Sequence, residues 1–496
     1  MSSKYRGDLM GAKQRVEAFN AKQSKEFQSR NEKIVSRRIM SLFDEDSFVE
    51  FAKYYGLDAE SKFREQTPKD GITTGVAMVN EYPVMVIAHD PEIHLGSLGL
   101  RDLSKATNAL SRAISMGIPI VSMLDCAGIQ IDEGADTLLA LSIFNDMYRT
   151  ASECNPTISL VYGPVIGSLS LLPRMSAFTI MHREKGAISV NGPMVVAATE
   201  GKAPDHQLLA GGEVQAACGG TDFLVDNEEA MAAVLADIID KLNNDERDLK
   251  DDPNRIEEEL DQIAMNMDST VDMSRIFELV SDRGSFVEFN SAYASELVTG
   301  WGKLNGTTVG FIGSNSEIWT APMCWKAKSC IEKFEKLGMR FFNFVRGTGA
   351  EISSQAEQAG LNLALAELSR KLSSTGCLAA NVIVGKVYGV MFSTLVARPE
   401  SKTCLVWPSA EMSLVPSDTA ASILYLEEMK GVDNPQAKRQ ELADRYAEEE
   451  ASGSVFEKLS FSFQTISPRG TRLHLYANVG LMDEDPDLEE INFAEF

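Results

Sequence analysis

The sequence lacks the features of membrane-spanning, secreted and nucleic-acid-binding proteins. No apolar run approaches the roughly 20 residues that cross a bilayer, and the segment 1–40 is polar and charged, without the apolar stretch of a secretory signal. Basic residues are outnumbered, because 47 Lys and Arg stand against 72 Asp and Glu and the formal net charge is −25. Since phosphate binding requires a basic surface, this charge argues against nucleic acid as a partner. We expect a cytoplasmic protein without direct membrane insertion.

Cysteine pairs and several familiar catalytic motifs are also missing. The seven cysteines are scattered, with no C-x-x-C spacing, which predicts free thiols in a reducing compartment and no metal site. The sequence has no G-x-x-x-x-G-K-[ST], no G-x-S-x-G and no H-E-x-x-H, so the nucleotide-binding, serine hydrolase and zinc protease classes lack their motifs. Chemistry performed by backbone amides needs none of these side chains.

What the sequence does contain is a long-range repeat. SLFDEDSFVEF at 41–51 returns as LVSDRGSFVEF at 279–289. Later landmarks recur in the same order and at a nearly constant separation, namely Gly128 with Gly349, Gly167 with Gly389, and Pro193 with Pro416. Spacing this steady indicates a duplicated domain, whose two halves can face each other across a cleft. The repeat divides the chain into a helical arm (1–40), a first domain (41–255), a second domain (265–480) and an acidic tail (481–496).

Each half has the residue pattern of an α/β fold. Short β-rich runs such as PVMVIAHD (83–90) and MRFFNFV (339–345) alternate with helical stretches such as 101–116 and 353–374. This alternation predicts a largely parallel sheet flanked by helices, with functional loops after the carboxyl ends of the strands. Matched glycine-containing segments fall there, and their backbone amides can face a developing negative oxygen. They are 125–130 and 163–169 in the first half, and 346–351 and 385–391 in the second.

Several motifs resemble the carboxyltransferase (beta) subunits of biotin-dependent acyl-CoA carboxylases and decarboxylases, which belong to the crotonase superfamily. In the first half they are RIMSLFDEDSFVEF, DGITTGVAMVNEYPVMVIAHD with GSLG at 96–99, MGIPIVSMLDCAGIQIDEG and NPTISLVYGP. In the second half they are VTGWGKLNGTTVGFIGSN, KVYG and VWPSAEMSLV. The resemblance covers about residues 35–480 and implies two tandem crotonase-like (ClpP/crotonase) domains.

The resemblance also implies a mechanism. Acyl-CoA would bind to the first half and biotin to the second, with the cleft formed between the first half of one subunit and the second half of a neighbour. Carboxybiotin would release CO2, the biotin enolate would remove the acyl α-proton, and the thioester enolate would attack the CO2. Both enolates need oxyanion stabilisation, to which one well-placed backbone donor contributes about 3–4 kcal/mol.

The family motifs, carried over position by position, assign site residues and imply no metal. The catalytic amides fall on Gly128, Ile129, Ser168, Leu169, Gly349, Ala350, Val390 and Met391, the ligand contacts on Gly96, Ser97, Gly167, Tyr388 and Gly389, and acyl specificity on Ser393.

The chain departs from the family where small residues are expected. Gly-Gly-Ala becomes Ala-Gly-Ile at 127–129, Gly-Ser-Leu at 167–169 and Gly-Val-Met at 389–391. Leu169, Val390 and Met391 are expected to add bulk where the family leaves room for ligands. Arg346 replaces an aspartate and is expected to pair with Glu351 rather than with a substrate carboxylate.

No biotinyl-lysine motif of the A-M-K-M type and no ATP-grasp pattern is present in the chain. The resemblance therefore implies that a biotin carboxyl carrier and a biotin carboxylase are separate partner chains. It also implies a homo- or hetero-hexamer of carboxyltransferase subunits. Two alternatives stay open. Both are alternatives to an active carboxylase subunit. One is a non-catalytic paralogue in a mixed hexamer, as the altered glycine motifs suggest, and the other is a soluble subunit of a biotin-dependent decarboxylase.

Overall fold

The computed structural model describes residues 33–53, 71–130, 133–243, 251–252, 254–267, 271–430 and 434–483, with residues 14, 16 and 17. Most of the predicted helical arm and nearly all of the predicted acidic tail lie outside these residues. The chain forms two compact units. One contains residues 1–215 and 223–240, and the other contains residues 216–222 and 241–496.

The described strands of the first unit form an eight-stranded sheet of order β1-β2-β3-β4-β5-β6-β8, with β7 beside β5. The strands are β1 (Val49–Phe51), β2 (Ile72–Val79), β3 (Tyr82–His89), β4 (Ile120–Cys126), β5 (Thr157–Ile166), β6 (Phe178–His182), β7 (Ala187–Ser189) and β8 (Phe223–Val225). Short 3-10 helices cover His94–Gly96 and Gly167–Leu171. The α-helices are α1 (Ile34–Leu42), α2 (Leu100–Met116), α3 (Ala135–Cys154), α4 (Leu172–Met175), α5 (Pro193–Glu200), α6 (His206–Ala210), α7 (Gly212–Ala217) and α8 (Glu228–Asn243).

The second unit repeats this topology, with the order β9-β10-β11-β13-β15-β16-β18 and β17 beside β15. Its strands are β9 (Val287–Glu288), β10 (Leu297–Leu304), β11 (Thr307–Ser314), β12 (Ile318–Trp319), β13 (Phe341–Gly347), β14 (Gly349–Ala350), β15 (Leu378–Tyr388), β16 (Thr403–Val406), β17 (Met412–Ser413) and β18 (Phe463–Thr465). Its helices are α9 (Glu258–Met265), α10 (Met273–Val280), α11 (Ala321–Lys336), α12 (Ser354–Gln358), α13 (Leu361–Ser374), α14 (Gly389–Leu395), α15 (Ser417–Leu424), α16 (Pro435–Glu450), α17 (Gly453–Leu459) and α18 (Thr471–Asp483), and a 3-10 helix covers Pro468–Gly470.

Both sheets open with antiparallel strands and continue in parallel. In the first unit β1, β2 and β3 are antiparallel, and the pairs from β3 to β8 are parallel. The second unit has the same arrangement in β9, β10 and β11 and then in parallel pairs to β18. The predicted α/β duplication with largely parallel sheets is confirmed.

The repeated sequence segment performs the same task in both units. The carboxylate of Asp44 accepts hydrogen bonds from the backbone of Asn80 and Glu81, at 3.1 and 2.8 Å, in the turn between β2 and β3. The carboxylate of Asp282 does the same for Asn305 and Gly306, at 2.9 and 2.8 Å, between β10 and β11. The repeated aspartate therefore stabilises the first hairpin of each sheet.

A buried lysine also recurs at equivalent positions of the two units. The Lys105 ammonium donates to the carbonyl of Ile72 at 3.0 Å, and the Lys326 ammonium donates to the carbonyl of Leu297 at 2.6 Å. Ile72 and Leu297 are the first residues of the equivalent strands β2 and β10. Each lysine thus joins the helix that precedes the parallel strands, α2 or α11, to the start of the hairpin.

The structure corrects several details of the predicted elements. Strands β5 and β15 continue past Gly163 and Gly385, where the sequence predicts loops, because β7 and β17 pair with their last residues. The helix predicted at 353–374 is two helices, interrupted at Gly360 with φ +87°. Strands β2 and β10 are absent from the predicted elements. No described helix combines the length and the apolar character of a membrane span.

Candidate active site

The predicted loop after β4 is held by a backbone bridge that leaves one amide unused. Leu98 donates to the carbonyl of Gly128 at 3.0 Å and accepts from the N–H of Gln130 at 3.0 Å, which makes Leu98 and Ile129 a parallel bridge pair. In such a pair the N–H of the bridged residue is directed away from its partner. The N–H of Ile129 has no acceptor in the described part of the chain. It is therefore available to a ligand oxygen.

The second predicted loop of the first half opens a 3-10 helix directly after β5. Ser168 and Leu169 are among its first residues, where the N–H groups have no intrahelical acceptor. The side chain of Leu169 is fully buried, whereas Ser168 is exposed. A methyl group added to Gly128 would lie 3.7 Å from the carbonyl oxygen of Ile166, the last residue of β5. The structure thus brings the two first-half loops together.

The second half repeats the first of these loops with the same bridge. Trp319 pairs with Ala350 in parallel register, and it accepts from the N–H of Glu351 at 2.9 Å. The alternation of the pair directs the N–H of Ala350 away from β12, as it does for Ile129. The sequence separation between Leu98 and Trp319 equals that between Ile129 and Ala350, so the two bridges lie at equivalent positions of the two halves. Gly349 lies in the short strand β14 beside this amide.

The last predicted loop follows β15, where Tyr388 ends the strand and Gly389 begins α14. Tyr388 is buried. Met391 is also fully buried, whereas Val390 is 55% exposed. The hydroxyl of Ser393, on the same helix, donates to the carbonyl of Val390 at 3.0 Å. The N-terminal turn of α14 carries the amides of Val390 and Met391.

Three of the glycines that the chain retains are ones that the backbone requires. Gly128, Gly167 and Gly389 have φ values of +118°, +71° and +47°. Such values favour glycine strongly. The residues that replace small family residues, among them Ile129, Ser168 and Val390, all lie outside the positive-φ region. The substitutions are therefore compatible with the loop backbones. The bulk expected from Leu169 and Met391 points into the core and not toward a ligand.

Gly96 and Ser97 brace the first loop from the segment after β3. Gly96 has φ +71°, and a Cβ there would overlap the carbonyl oxygen of Asp125. The carbonyl of Ser97 accepts from the side-chain amide of Gln130 at 3.0 Å, and its hydroxyl donates to the carbonyl of His94 at 2.7 Å. Gly96 therefore packs against the loop backbone, and Ser97 binds Gln130 of the loop and a residue of its own turn.

One expected ion pair is replaced by another. Arg346 binds Glu317 at 2.9 Å and not Glu351, whose carboxylate accepts from the Ser353 hydroxyl at 3.1 Å. At the equivalent position of the first half, Asp125 binds Arg38 at 2.8 Å. Sequence reasoning missed Arg38 and Glu317, because neither belongs to a glycine loop and both are distant in sequence from their partners.

Two ionisable side chains near the first-half loops, His89 and Cys126, are held neutral. Burial lowers the pKa of His89, at the end of β3, to about 4, and its Nδ1 has no hydrogen-bond partner among the described residues. Burial raises the pKa of the Cys126 thiol to about 12. The residues that the structure describes contain no cluster of side chains suited to a metal ion. The arrangement offers backbone donors rather than a charged base or nucleophile.

Comparison with known proteins assigns the chain to a group of relatives along nearly its whole length. The carboxyl transferase domain matches residues 26–486. The propionyl-CoA carboxylase carboxyltransferase subunit of Haloferax mediterranei is 27% identical and aligns over 90% of this chain and 89% of its own. The methylmalonyl-CoA decarboxylase subunit alpha of Veillonella parvula is 25% identical, with 92% of each chain aligned.

A solved structure shows the same fold. The hexameric transcarboxylase 12S, crystallised with methylmalonyl-coenzyme A and methylmalonic acid, matches with a TM-score of 0.83 at 21% identity. The match covers 98% of this chain and 96% of the other. At this identity the likeness establishes the two-domain crotonase-like fold.

Proposed function

Because the chain belongs to the carboxyl transferase family, we propose that it is the carboxyltransferase subunit of a biotin-dependent acyl-CoA carboxylase. It transfers a carboxyl group between biotin and the α-carbon of an acyl-CoA. The observation that carries this proposal is the pair of matched loops in each half, with an available amide at Ile129 and its counterpart at Ala350. The retained glycines at positive φ support working loops rather than a purely structural paralogue.

The first half suits a thioester. Two backbone donors, the amides of Ile129 and Ser168, lie on adjacent loops. Among the described residues beyond its own turn, none has an atom within 4 Å of a methyl group placed on Gly167. These amides would bind the thioester oxygen and stabilise the negative charge that develops there when the α-proton leaves. Each donor of this kind contributes about 3–4 kcal/mol to the transition state.

The second half suits the ureido group of biotin. Its donor set is again two backbone amides, those of Ala350 and Val390, which match one acceptor oxygen. The surroundings of Gly349 are open, because the nearest atom to an added methyl group is 3.9 Å away. Biotin carried by a separate protein would supply the carboxyl group when bound here. The exposed side chain of Val390 would form part of the surface that contacts the ring.

No side chain of the described loops is placed to act as a base at neutral pH. The imidazole of His89 is buried and neutral, and the Cys126 thiol is protonated. The protein's contribution is therefore to bind and orient the two ligands and to stabilise oxyanions. We propose a CoA thioester of a short carboxylic acid as the substrate, since relatives are propionyl-CoA and methylmalonyl-CoA enzymes. A decarboxylase subunit would use the same backbone donors to transfer the carboxyl group in the reverse direction, from the acyl-CoA to biotin.

We propose six copies of the chain per assembly, together with a biotin carboxyl carrier and a biotin carboxylase chain. The hexamer of transcarboxylase 12S is the precedent. A cytoplasmic location agrees with the free, mostly buried thiols of the chain, such as Cys324 and Cys404. Mass photometry of the purified protein tests the number of copies.

Removal of single amides tests the function. Proline lacks an N–H and is tolerated in the first turn of a helix. We therefore expect Ser168→Pro and Val390→Pro to lower kcat for biotin-dependent decarboxylation of methylmalonyl-CoA or malonyl-CoA by about 10²–10³-fold. The matched controls Ser168→Ala and Val390→Ala keep the N–H and should stay within a few-fold of the unsubstituted protein.

Two results would contradict the proposed function. One is the absence of turnover by the unsubstituted protein with every short carboxyacyl-CoA and the biotinylated carrier. The other is equal activity of the proline and alanine variants, which would mean that these amides do not contact the reacting oxygens.

A further inference from the structure

A buried charged residue lies four positions before each bridged amide. Asp125 precedes Ile129 and Arg346 precedes Ala350, and the two charged residues have the same separation along the chain as the two amides. They therefore occupy equivalent places at the ends of β4 and β13 with charges of opposite sign. Each one is neutralised by a partner from outside its own strand.

In the first half the partner comes from helix α1. A guanidinium nitrogen of Arg38 lies 2.8 Å from the carboxylate of Asp125, and the two side chains are 11% and 14% exposed. The guanidinium carbon lies 4.3 Å from the centre of the Tyr162 ring, which fixes its plane. A Cβ at Gly163 would overlap the Asp125 carboxylate, so this glycine provides the space that the carboxylate fills.

In the second half the charges are reversed and the acceptors are more numerous. The guanidinium of Arg346 donates to Glu317 at 2.9 Å, to the carbonyl of Asn315 at 2.9 Å and to the carbonyl of Met267 at 3.2 Å. Its side chain is 3% exposed. At Gly385, the counterpart of Gly163, an added Cβ would lie 3.4 Å from that of Arg346, which is an ordinary contact, so the Arg346 side chain does not depend on this glycine for space.

The two pairs share a geometry that reaches the amide donors. Each joins the end of a central strand to a segment that comes from elsewhere in its unit, α1 in one case and the segments around 267 and 315–317 in the other. Asp125 and Arg346 are withdrawn from solvent, so that loss of the partner leaves a buried charge unpaired. The strand end would then have to move to reach water or another partner, and the amide four residues further on would move with it.

We infer that Arg38–Asp125 and Arg346–Glu317 are positioning pairs, each of which fixes the direction of one bridged amide. The inference rests on the proposed function in assigning the first pair to the acyl-CoA loop and the second to the biotin loop. None of the four side chains acts on a ligand directly. Each pair controls its own half and leaves the other half unchanged.

Hydrogen exchange of the uncomplexed protein tests the positioning without reference to activity. Arg38→Gln should speed amide exchange in the peptide that covers 126–130 by about tenfold or more and leave 347–351 unchanged. Glu317→Gln should do the reverse. The matched control is Glu367→Gln, which removes the Lys328–Glu367 pair (2.9 Å) between α11 and α13 and touches neither positioning pair.

Equilibrium binding then assigns each pair to its ligand. Arg38→Gln should weaken binding of a non-hydrolysable CoA thioester about tenfold and leave biocytin binding unchanged, with the opposite result for Glu317→Gln. Arg38→Lys and Glu317→Asp, which keep the charges, should give intermediate values and serve where the neutral variants unfold.

The outcomes separate this inference from the proposed function. Equal changes in both loops, or no change in either, would overturn the positioning pairs whatever the activity of the protein. Selective loop exchange in a protein that binds neither ligand would keep the pairs as determinants of loop geometry and overturn their link to the two ligands, along with the proposed function.

Discussion

At the scale of single residues, backbone conformation explains why the altered loops remain compatible with the fold. Three retained glycines have positive φ, and the bulkier residues beside them do not. Of the larger side chains, Leu169 and Met391 are in the core and Val390 is at the surface. A side chain of this kind changes the shape of a ligand site without removing an amide. The altered motifs therefore keep the glycines that their backbone needs, and Val390 is the one of these three larger side chains that lies at the surface.

A pair of alanine substitutions tests this view. Gly128→Ala should lower the free energy of unfolding by about 1–2 kcal/mol, because alanine is strained at φ +118°. Gly349→Ala, where φ is not positive and an added methyl group has no atom nearer than 3.9 Å, should leave stability unchanged or raise it by about 0.4–1 kcal/mol. Urea unfolding of both variants measures the difference. Equal losses at the two positions would show that conformation at Gly128 is not the cause.

His89 gives the protein a predictable response to acid. Burial lowers its pKa from 6.5 to about 4, so the unfolded chain binds a proton between these values while the folded chain does not. Stability is therefore full above pH 6.5 and falls as the pH drops through this window. His89→Gln should reduce the loss of unfolding free energy between pH 7 and pH 5 by about 2 kcal/mol. Urea titrations at both pH values measure it, and an unchanged pH dependence would mean that His89 takes up its proton in the folded state.

Sequence could place the amide-bearing residues but not their directions or their neighbours. The motifs locate Ile129 and Ala350, whereas the bridge that turns their N–H groups outward involves Leu98 and Trp319, which are far away along the chain in each half. The predicted partner of Arg346 is wrong for a similar reason. Glu351 is near in sequence, but the segment after β11 brings Glu317 closer in space.

At the scale of elements, the repeated aspartate makes each hairpin depend on a single carboxylate. The two copies differ in one respect. Asp44 is half-buried and binds the turn amides, whereas Asp282 also pairs at 2.6 Å with Arg472, whose side chain is fully buried. The second hairpin is thus joined to helix α18 by a buried ion pair, whereas the first hairpin is joined to helix α8 by an exposed hydrogen bond from the Asn80 side chain to Asp240, at 2.8 Å.

This difference predicts unequal effects of the same substitution. Asp282→Ala leaves the Arg472 charge buried and unpaired, and should destabilise the second unit by about 3–5 kcal/mol. Asp44→Ala removes hydrogen bonds to a half-buried charge, and should cost the first unit about 1–3 kcal/mol. Hydrogen exchange in graded urea measures the two units separately. A larger effect at Asp44 would mean that Arg472 finds another partner.

Element prediction succeeds where the pattern is strong and fails where glycine interrupts it. The apolar runs of β3, β4, β13 and β15 identify buried parallel strands. Strands β2 (ITTGVAMV) and β10 (LVTGWGKL) escape prediction, because Thr, Gly and Lys break the apolar run. Gly75 and Gly300 are required there, since a Cβ at either would overlap the preceding edge strand and the ring of Phe48 or Phe286.

At the scale of the whole molecule, two equivalent helices expose apolar side chains. Helix α5 has no buried residue, and Met194 is 78% exposed. Helix α15, which follows the matching proline in the second half, exposes Ile423 and Leu424. Apolar surface that recurs in both halves suits contact with other copies of the chain.

Added charge on these helices should prevent assembly. Met194→Glu combined with Ile423→Glu places carboxylates on both apolar surfaces, and we expect the proposed hexamer to give way to smaller species. Gln440→Glu together with Gln464→Glu adds the same charge at polar positions and should leave the assembly intact. Mass photometry distinguishes the species. A hexamer that persists in the first variant would place the subunit contacts elsewhere.

The duplication is predictable from the sequence because landmark spacing survives divergence better than residue identity. The nearly constant separation of matched glycines and prolines locates the halves. The structure adds equivalent residues that no motif indicates, such as Lys105 and Lys326, each of which binds a backbone carbonyl of its own half. Contacts of this kind join residues that are far apart along the chain. They become visible once the two sheets are compared strand by strand.

The opposite charges of Asp125 and Arg346 carry information about the ancestry of the chain. In a forerunner built from one half, a single codon specified both positions, so one charge and one type of partner had to serve every copy. Acidic and basic forms could coexist in one polypeptide only after the gene had doubled. The charge difference is therefore younger than the duplication, whereas the shared bridges and buried lysines can descend from the forerunner. Reconstructed ancestral sequences of the family would date the change.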